Sequence, residues 1–197
     1  DVCSSDLGDR PLREAAAALR YIRENAEDWG VYSDRITVCG FSAGGHLAAS
    51  IGTLWHDEHR IPDAGEACKP NGMILSYAVC TADVRKTHRG SIANLTGDPE
   101  PCPQDVDYDL PKLVDEKTVP AFLWHTAEDD CVPVENAFFM ARAMHKAGRP
   151  YALHIYTHGW HGLSLADAEV GGGPEEVRSW LSLAHDWLCS MHLGPDV

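Results

Sequence analysis

Apolar residues recur at helical spacing in several segments of the chain. Residues 11–28 predict an amphipathic helix, with Pro11 suited to its first turn and Gly30 placed to end it. The face that this helix buries is formed by Leu12, Ala16, Leu19, Ile22 and Ala26. The same reasoning predicts three further helices, over residues 45–55, from residue 133 to a stop at residue 148, and from residue 174 to residue 188.

Short apolar runs separate these helices and predict buried strands. The runs lie at residues 35–39, 73–79, 121–125 and 151–156. Helices that alternate with short buried strands are typical of an α/β protein with a mostly parallel sheet and helices on both of its faces. Residues 81–118 are rich in Pro, Asp and Gly, so we expect an irregular segment that is functional or contains short elements.

The sequence G-F-S-A-G at residues 40–44 lies between the first predicted strand and a predicted helix. This is the context of a nucleophile elbow, in which a strained turn lifts a serine hydroxyl clear of the sheet. Glycines flank such a serine because a side chain there would collide with the neighbouring strand and helix. Ser42 is therefore the candidate nucleophile. The alternative is a glycine-rich packing turn with a capping serine.

An activated serine needs a histidine base, and the base needs an orienting acid. In a fold with this elbow, the order along the chain is serine, acid, histidine. Three acids follow the third predicted strand: Glu128, Asp129 and Asp130. The ends of parallel strands share one rim of the sheet, so a carboxylate here faces Ser42. Asp129 is the candidate acid and Asp130 the alternative, while solvated loop charges would explain all three without catalysis.

Histidines cluster around the fourth predicted strand and the loop that follows it. His161, which precedes a glycine, is the candidate base, with His158 as the alternative; His154 falls within the strand and is expected to be structural. A metal site built from these three histidines is a rival interpretation. Their spacing is not that of an H-E-x-x-H helix, and they straddle a strand end. We therefore expect neither a metal nor a cofactor.

Composition narrows the expected partners and compartment. A formal net charge of −14 disfavours binding to phosphate backbones, and no apolar stretch is long enough to span a bilayer. We therefore expect neither a nucleic-acid nor a membrane partner. The cysteines are scattered without a C-x-x-C pair, which indicates free thiols in a reducing compartment and favours the cytoplasm.

Four stretches carry a resemblance to a known family: R-I-T-V-C-G-F-S-A-G-G-H-L-A, I-L-S-Y-A-V, V-P-A-F-L-W-H-T-A-E-D-D-C-V-P-V-E-N-A and L-H-I-Y-T-H-G-W-H-G-L-S-L-A. On these motifs the chain resembles the esterase branch of the α/β-hydrolases, which includes acetylesterases, acetylxylan esterases and bacterial feruloyl-esterase-like proteins. The resemblance covers nearly everything after residue 7. It implies that Ser42 is the nucleophile, Asp129 the acid and His161 the base.

The chain departs from that family before the nucleophile. The family carries a His-Gly-Gly-type loop that supplies oxyanion-hole N–H groups, and no such motif precedes Ser42. The N–H of Ala43 is the one oxyanion donor that the sequence assigns. We expect the C-terminal part of a longer α/β-hydrolase, without its first strands and with residues 35–39 at a sheet edge. A signal peptide in the missing part stays possible.

The first residues do not resemble a protein start. Residues 1–7 look like the conceptual translation of a sequencing-library adapter, and the chain does not begin with Met. We therefore assign the partial catalytic domain to residues 8–197.

These observations predict a serine carboxylic ester hydrolase that forms an acyl-serine intermediate. Its expected substrates are short acyl esters, acetyl esters first among them, of small molecules or carbohydrates. One alternative is a prolyl-oligopeptidase-type peptidase, which shares this catalytic half, and another is a truncated remnant that binds without turnover. Trp160, beside His161, either stacks on a sugar or aromatic leaving group or packs under its own loop.

Overall fold

The computed structural model describes residues 7–100 and 106–195. Residues 1–6 of the expected adapter segment lie outside this range, whereas Leu7 lies inside it and donates its N–H to Asn94 O at 3.1 Å. The helices and strands are α1 (Arg10–Glu24), α2 (Ala26–Trp29), β1 (Thr37–Phe41), α3 (Ala43–Leu54), β2 (Gly72–Ser76), α4 (Arg89–Thr96), α5 (Leu110–Leu113), β3 (Ala121–Thr126), α6 (Glu135–Lys146), β4 (Tyr151–Tyr156), α7 (Glu175–Arg178) and α8 (Trp180–Ser190).

The four strands form one sheet in the order β1-β2-β3-β4, and every pair of neighbours is parallel. The prediction of an α/β fold with a parallel sheet is therefore confirmed. Within the described residues β1 pairs with β2 alone and lies at an edge, as expected from the sequence. Because all strands run the same way, their carboxyl ends lie along a single rim of the sheet.

Helices cover both faces of the sheet. Met73 and Leu75 of β2 pack in the core under α1, α3 and α6, whereas Ile74 between them packs in the core under α8. This alternation follows from the two-residue period of a strand. It explains why every residue of β2 and β3 is buried: helices cover both faces of these two strands.

Two predicted helices are each divided by a polar residue. The first ends at Glu24, where the Asn25 side chain donates to Tyr21 O at 2.7 Å, and a short second helix follows. The last predicted helix is divided at Ser179 into α7 and α8, and the Ser179 hydroxyl donates to Glu176 O at 2.6 Å. Side chains that bond to nearby carbonyls in this way compete with the helical pattern of hydrogen bonds.

Two predicted strands have different ends in the structure. β1 begins at Thr37 and continues through Gly40 to Phe41, because these last residues still pair with β2. β2 ends at Ser76 instead of reaching residue 79, because Tyr77 has φ +38° and turns the chain away from the strand direction. The predicted irregular segment contains α4 and α5, in line with the expectation that it contains short elements.

Candidate active site

Ser42 occupies the tight turn between β1 and α3. Its backbone has φ 54° and ψ −120°, a conformation that is costly for a residue with a side chain. The Ser42 N–H donates to Ser76 O at 3.0 Å, and Ser42 O accepts from Val79 N at 3.1 Å. The end of β2 and the loop after it therefore hold the strained turn from both sides.

Glycines permit this turn at two positions. A Cβ on Gly40 would lie 2.8 Å from Gly45 N, and a Cβ on Gly45 would lie 2.9 Å from the Cα of Ala78. A Cβ on Gly44, by contrast, would meet nothing within 4 Å. The expectation that the last glycine of G-x-S-x-G prevents a collision is therefore wrong for Gly44. The close contact with the sheet falls one residue later, where α3 crosses the chain after β2.

His161 reaches Ser42 from the loop that follows β4. Its Nε2 lies 2.8 Å from Ser42 Oγ, and its Nδ1 lies 2.7 Å from Asp129 Oδ2. The ring of Tyr77 packs edge-on against the imidazole, with ring centroids 5.0 Å apart. This arrangement makes Nδ1 the protonated nitrogen, because a carboxylate can only accept, and leaves Nε2 free to take the hydroxyl proton.

Asp129 lies buried in the turn after β3. Its Oδ1 accepts from Cys131 N at 3.0 Å and from Val132 N at 2.8 Å. Burial by itself raises the pKa of Asp129, but hydrogen bonds from His125, His161 and Val132 outweigh it, so the pKa lies well below the usual range. The carboxylate therefore stays charged beside His161.

The alternative site residues lie elsewhere. Asp130 is exposed, and His158 is exposed and pairs with Glu128 at 2.9 Å, which raises the pKa of this histidine. His154 stacks on Phe122 in the sheet, as expected for a structural residue. The structure brings together Ser42, Asp129 and His161 and none of these alternatives.

The N–H expected to serve as an oxyanion donor belongs to Ala43, the first residue of α3. N–H groups in the first turn of a helix have no partner within the helix, and the helix dipole favours negative charge there. Ala43 is exposed, so a substrate oxygen can approach it. Trp160, beside the candidate base, is 51% exposed and does not pack under its loop.

Sequence reasoning missed three residues around this site. Tyr77 packs on the imidazole of His161, and His125 approaches Asp129 from the sheet. His46, in the first turns of α3, is buried with its Nδ1 3.0 Å from Val79 O. The position of Tyr77 and His125 at strand ends was the available signal, because side chains at that rim converge.

Within residues 7–100 and 106–195, no group of three or more His, Cys, Asp or Glu side chains is placed to hold a metal ion. No helix in the same part of the chain is both long and apolar enough to cross a membrane. The cysteines described there are free thiols, at positions Cys39, Cys68, Cys80, Cys131 and Cys189.

Comparison with known families gives a match that includes the elbow and the acid. The model of the BD-FAE family matches residues 11–144, more than half of the chain. The chain belongs to the BD-FAE family. The match covers Ser42 and Asp129, while His161 lies beyond it.

Two curated relatives of this BD-FAE chain are named for xylan. Endo-1,4-beta-xylanase B of Butyrivibrio fibrisolvens is 35% identical over 173 residues, which cover 86% of this chain and 27% of that protein. The acetylxylan esterase of Xylanibacter ruminicola is 32% identical over 171 residues, which cover 80% of this chain and 32% of that protein. The chain thus spans about a third or less of the length of these relatives.

Solved structures of other proteins share the fold of this BD-FAE chain. An acetyl ester-xyloside bifunctional hydrolase from Caldicellulosiruptor lactoaceticus superimposes with a TM-score of 0.78 at 35% identity, over 93% of this chain and 66% of that one. The carboxylesterase Cest-2923 from Lactobacillus plantarum gives a TM-score of 0.80 at 27% identity, over 94% of this chain and 69% of that one. These likenesses agree with an α/β-hydrolase fold for this chain, with its parallel sheet and helices on both faces.

Proposed function

We propose that this chain carries the catalytic centre of a serine carboxylic ester hydrolase. The observation that carries the proposal is the continuous hydrogen-bonded chain from Ser42 Oγ through His161 to Asp129, with distances of 2.8 and 2.7 Å. Hydrogen-bonding distance between nucleophile and base, with the base oriented by a third group, is the signature of an activated serine.

In the proposed mechanism, Ser42 Oγ attacks the acyl carbon of the ester while its proton passes to His161 Nε2. The oxyanion that forms is held by the N–H of Ala43 at the start of α3. His161 then returns the proton to the leaving alcohol oxygen as the C–O bond breaks, which leaves an acyl-serine. Water attacks this intermediate with the same proton transfers and releases the acid. Asp129 stabilises the imidazolium in both steps and stays ionised throughout.

For the substrate, we propose short acyl esters of carbohydrates, acetyl esters first among them. The support comes from relatives, since one is named an acetylxylan esterase and a structural neighbour is named an acetyl ester-xyloside bifunctional hydrolase. Trp160 adds a physical argument: an aromatic side chain that is half exposed beside the base offers a flat face to a sugar ring.

Two measurements test the proposal. A fluorophosphonate probe should label the protein at Ser42, located by peptide mass spectrometry, because the probe reacts with activated serines. Hydrolysis rates are then compared for p-nitrophenyl acetate, an acetylated xylo-oligosaccharide and a prolyl-p-nitroanilide. Turnover of the esters without turnover of the anilide supports the proposal. Labelling at another residue, or preference for the anilide, contradicts it.

A further inference from the structure

His125 is a buried histidine directly behind the candidate acid. It lies in β3, one residue before the strand ends, and its side chain is fully buried. Its Nε2 lies 2.9 Å from Val132 O and 3.3 Å from Asp129 Oδ2. The Val132 carbonyl can only accept, so Nε2 carries a proton and donates it to Val132 O, while Asp129 Oδ2 is a second, more distant acceptor for the same N–H. Its Nδ1 is buried and has no hydrogen-bond partner in the described part of the chain.

The turn after β3 is held by hydrogen bonds within the turn and by one hydrogen bond from His125. Asp129 Oδ1 accepts the N–H groups of Cys131 and Val132, while Val132 O accepts from His125. Asp129 Oδ2 faces two donors, His161 Nδ1 at 2.7 Å and His125 Nε2 at 3.3 Å. A carboxylate has about four lone-pair positions; three of them here accept hydrogen bonds, and the fourth faces His125 Nε2 at the longer distance. The rotation of the carboxylate is therefore fixed from every side.

We propose that His125 is a positioning residue for the catalytic acid: its Nε2–H holds the Asp129 carboxylate and the Val132 carbonyl in the one arrangement that aims Oδ2 at His161. This inference rests on the proposed function, since it assigns a role to His125 through the triad. His125 does not reach the reacting atoms, because Asp129 and then His161 lie between it and Ser42.

The loss of this donor should lower kcat and leave KM unchanged. Without the Nε2–H, His161 Nδ1 is the one remaining donor of the two that face Asp129 Oδ2, so this oxygen can shift while Oδ1 stays on its backbone donors. The imidazole of His161 then loses part of its fixed orientation. Misplacement of a catalytic group by about 1 Å can cost on the order of a hundredfold in rate. We expect a fall in kcat of about ten- to a hundredfold. Substrate contacts are unchanged, so KM should stay within about twofold.

The matched pair His125→Gln and His125→Asn tests this directly. The longer Gln side chain carries its amide N–H to about the position of the imidazole Nε2, whereas the Asn amide falls short. Gln should restore most of kcat, and Asn should be as slow as His125→Leu, which has no donor. Rates are expressed per active site titrated with a fluorophosphonate, so that any unfolded fraction is not counted. Equal rates for folded Gln and Asn variants would overturn the inference.

A double-mutant cycle separates positioning from packing. In an Asp129→Ala background there is no carboxylate to position, so His125→Asn should no longer change the residual kcat. The same fold-loss in both backgrounds would show that His125 acts independently of Asp129, and the inference would be wrong. Failure of the proposed function is read separately: if Ser42→Ala still turns over esters, the triad assignment fails. If Ser42→Ala is inactive while His125→Asn keeps full kcat, only the role of His125 fails.

Discussion

His161 Nε2 lies 2.8 Å from Ser42 Oγ, although 119 positions separate the two residues in the chain. This contact predicts that Ser42→Ala abolishes ester hydrolysis, with a fall in kcat of at least about 10³-fold, because the substitution removes the hydroxyl that His161 Nε2 contacts. The control is Ser50→Ala, which removes a buried hydroxyl bonded to His46 O in the same helix and should keep nearly full kcat. Turnover of p-nitrophenyl acetate measures both. Comparable loss in the two variants would point to damage to α3 and not to loss of a nucleophile.

Asp129 and its neighbour Asp130 should respond very differently to the same change. Asp129→Asn removes the charge beside His161 and offers an amide N–H₂ where an acceptor is needed, so kcat should fall by about 10³–10⁴-fold. Asp130→Asn, on an exposed carboxylate, should leave kcat within about twofold. Steady-state kinetics on the purified variants measure kcat for both. A larger fall in kcat for the Asp130 variant would reverse the assignment of the acid.

The two histidines of the loop after β4 provide a second matched comparison. His161→Ala removes the proposed base and should cost at least about 10³-fold in kcat, whereas His158→Ala removes only an exposed contact with Glu128. The His158 variant should keep activity and thermal stability close to the parent. Kinetics and thermal unfolding measure the two effects. A His158 variant as slow as the His161 variant would mean that the base is misassigned.

The buried His46 should make stability depend on pH. Burial lowers the pKa of His46 to about 4, partly opposed by its hydrogen bond to Val79 O, while an unfolded histidine titrates near 6.5. Between these values the unfolded chain binds a proton that the folded protein does not. The contribution of His46 is therefore fully present above about pH 6.5 and is lost as the pH falls toward 4.

The expected loss is roughly 2.5 kcal/mol between pH 7 and pH 4.5. His46→Asn keeps an amide donor for Val79 O and removes the titration, so its free energy of unfolding should fall less over this range. Urea unfolding at several pH values gives the free energy of unfolding of the parent and of the variant. Subtracting one from the other removes the contribution of the carboxylates that both proteins share. Parallel curves for the parent and the variant would contradict the prediction.

Adjacent glycines of the elbow should differ in what they tolerate. Gly45→Ala brings a methyl group against Ala78 and should destabilise the fold by about 1–3 kcal/mol. Gly44→Ala meets open space in a helical turn and should be neutral or slightly stabilising. Thermal and urea unfolding of the two variants provide the test. A more damaging change at Gly44 would mean that the second glycine of G-x-S-x-G is the constrained one after all.

The sequence by itself determined the fold class and the type of site. Helical periodicity and short apolar runs are local properties of the sequence. Amphipathic helices that alternate with such runs were therefore enough to predict the α/β arrangement and the four strands. The nucleophile elbow could also be predicted, because a strained turn between a strand and a helix needs small residues at fixed positions around Ser42. The carboxyl ends of parallel strands lie at one rim of the sheet, and this predicted that the acid and histidine candidates lie near that serine.

The sequence preferred Asp129 to Asp130 and His161 to His158 through the family resemblance, but only the tertiary structure decided which of these side chains contact one another. Adjacent residues in a turn point in different directions, and which one faces the rim depends on how β3 and β4 pair and on donors from elsewhere in the chain. The role of Gly45 was hidden for the same reason, since its constraint comes from Ala78 beyond β2. Contacts between residues distant in sequence carry no local period, and these contacts decide the geometry of the site.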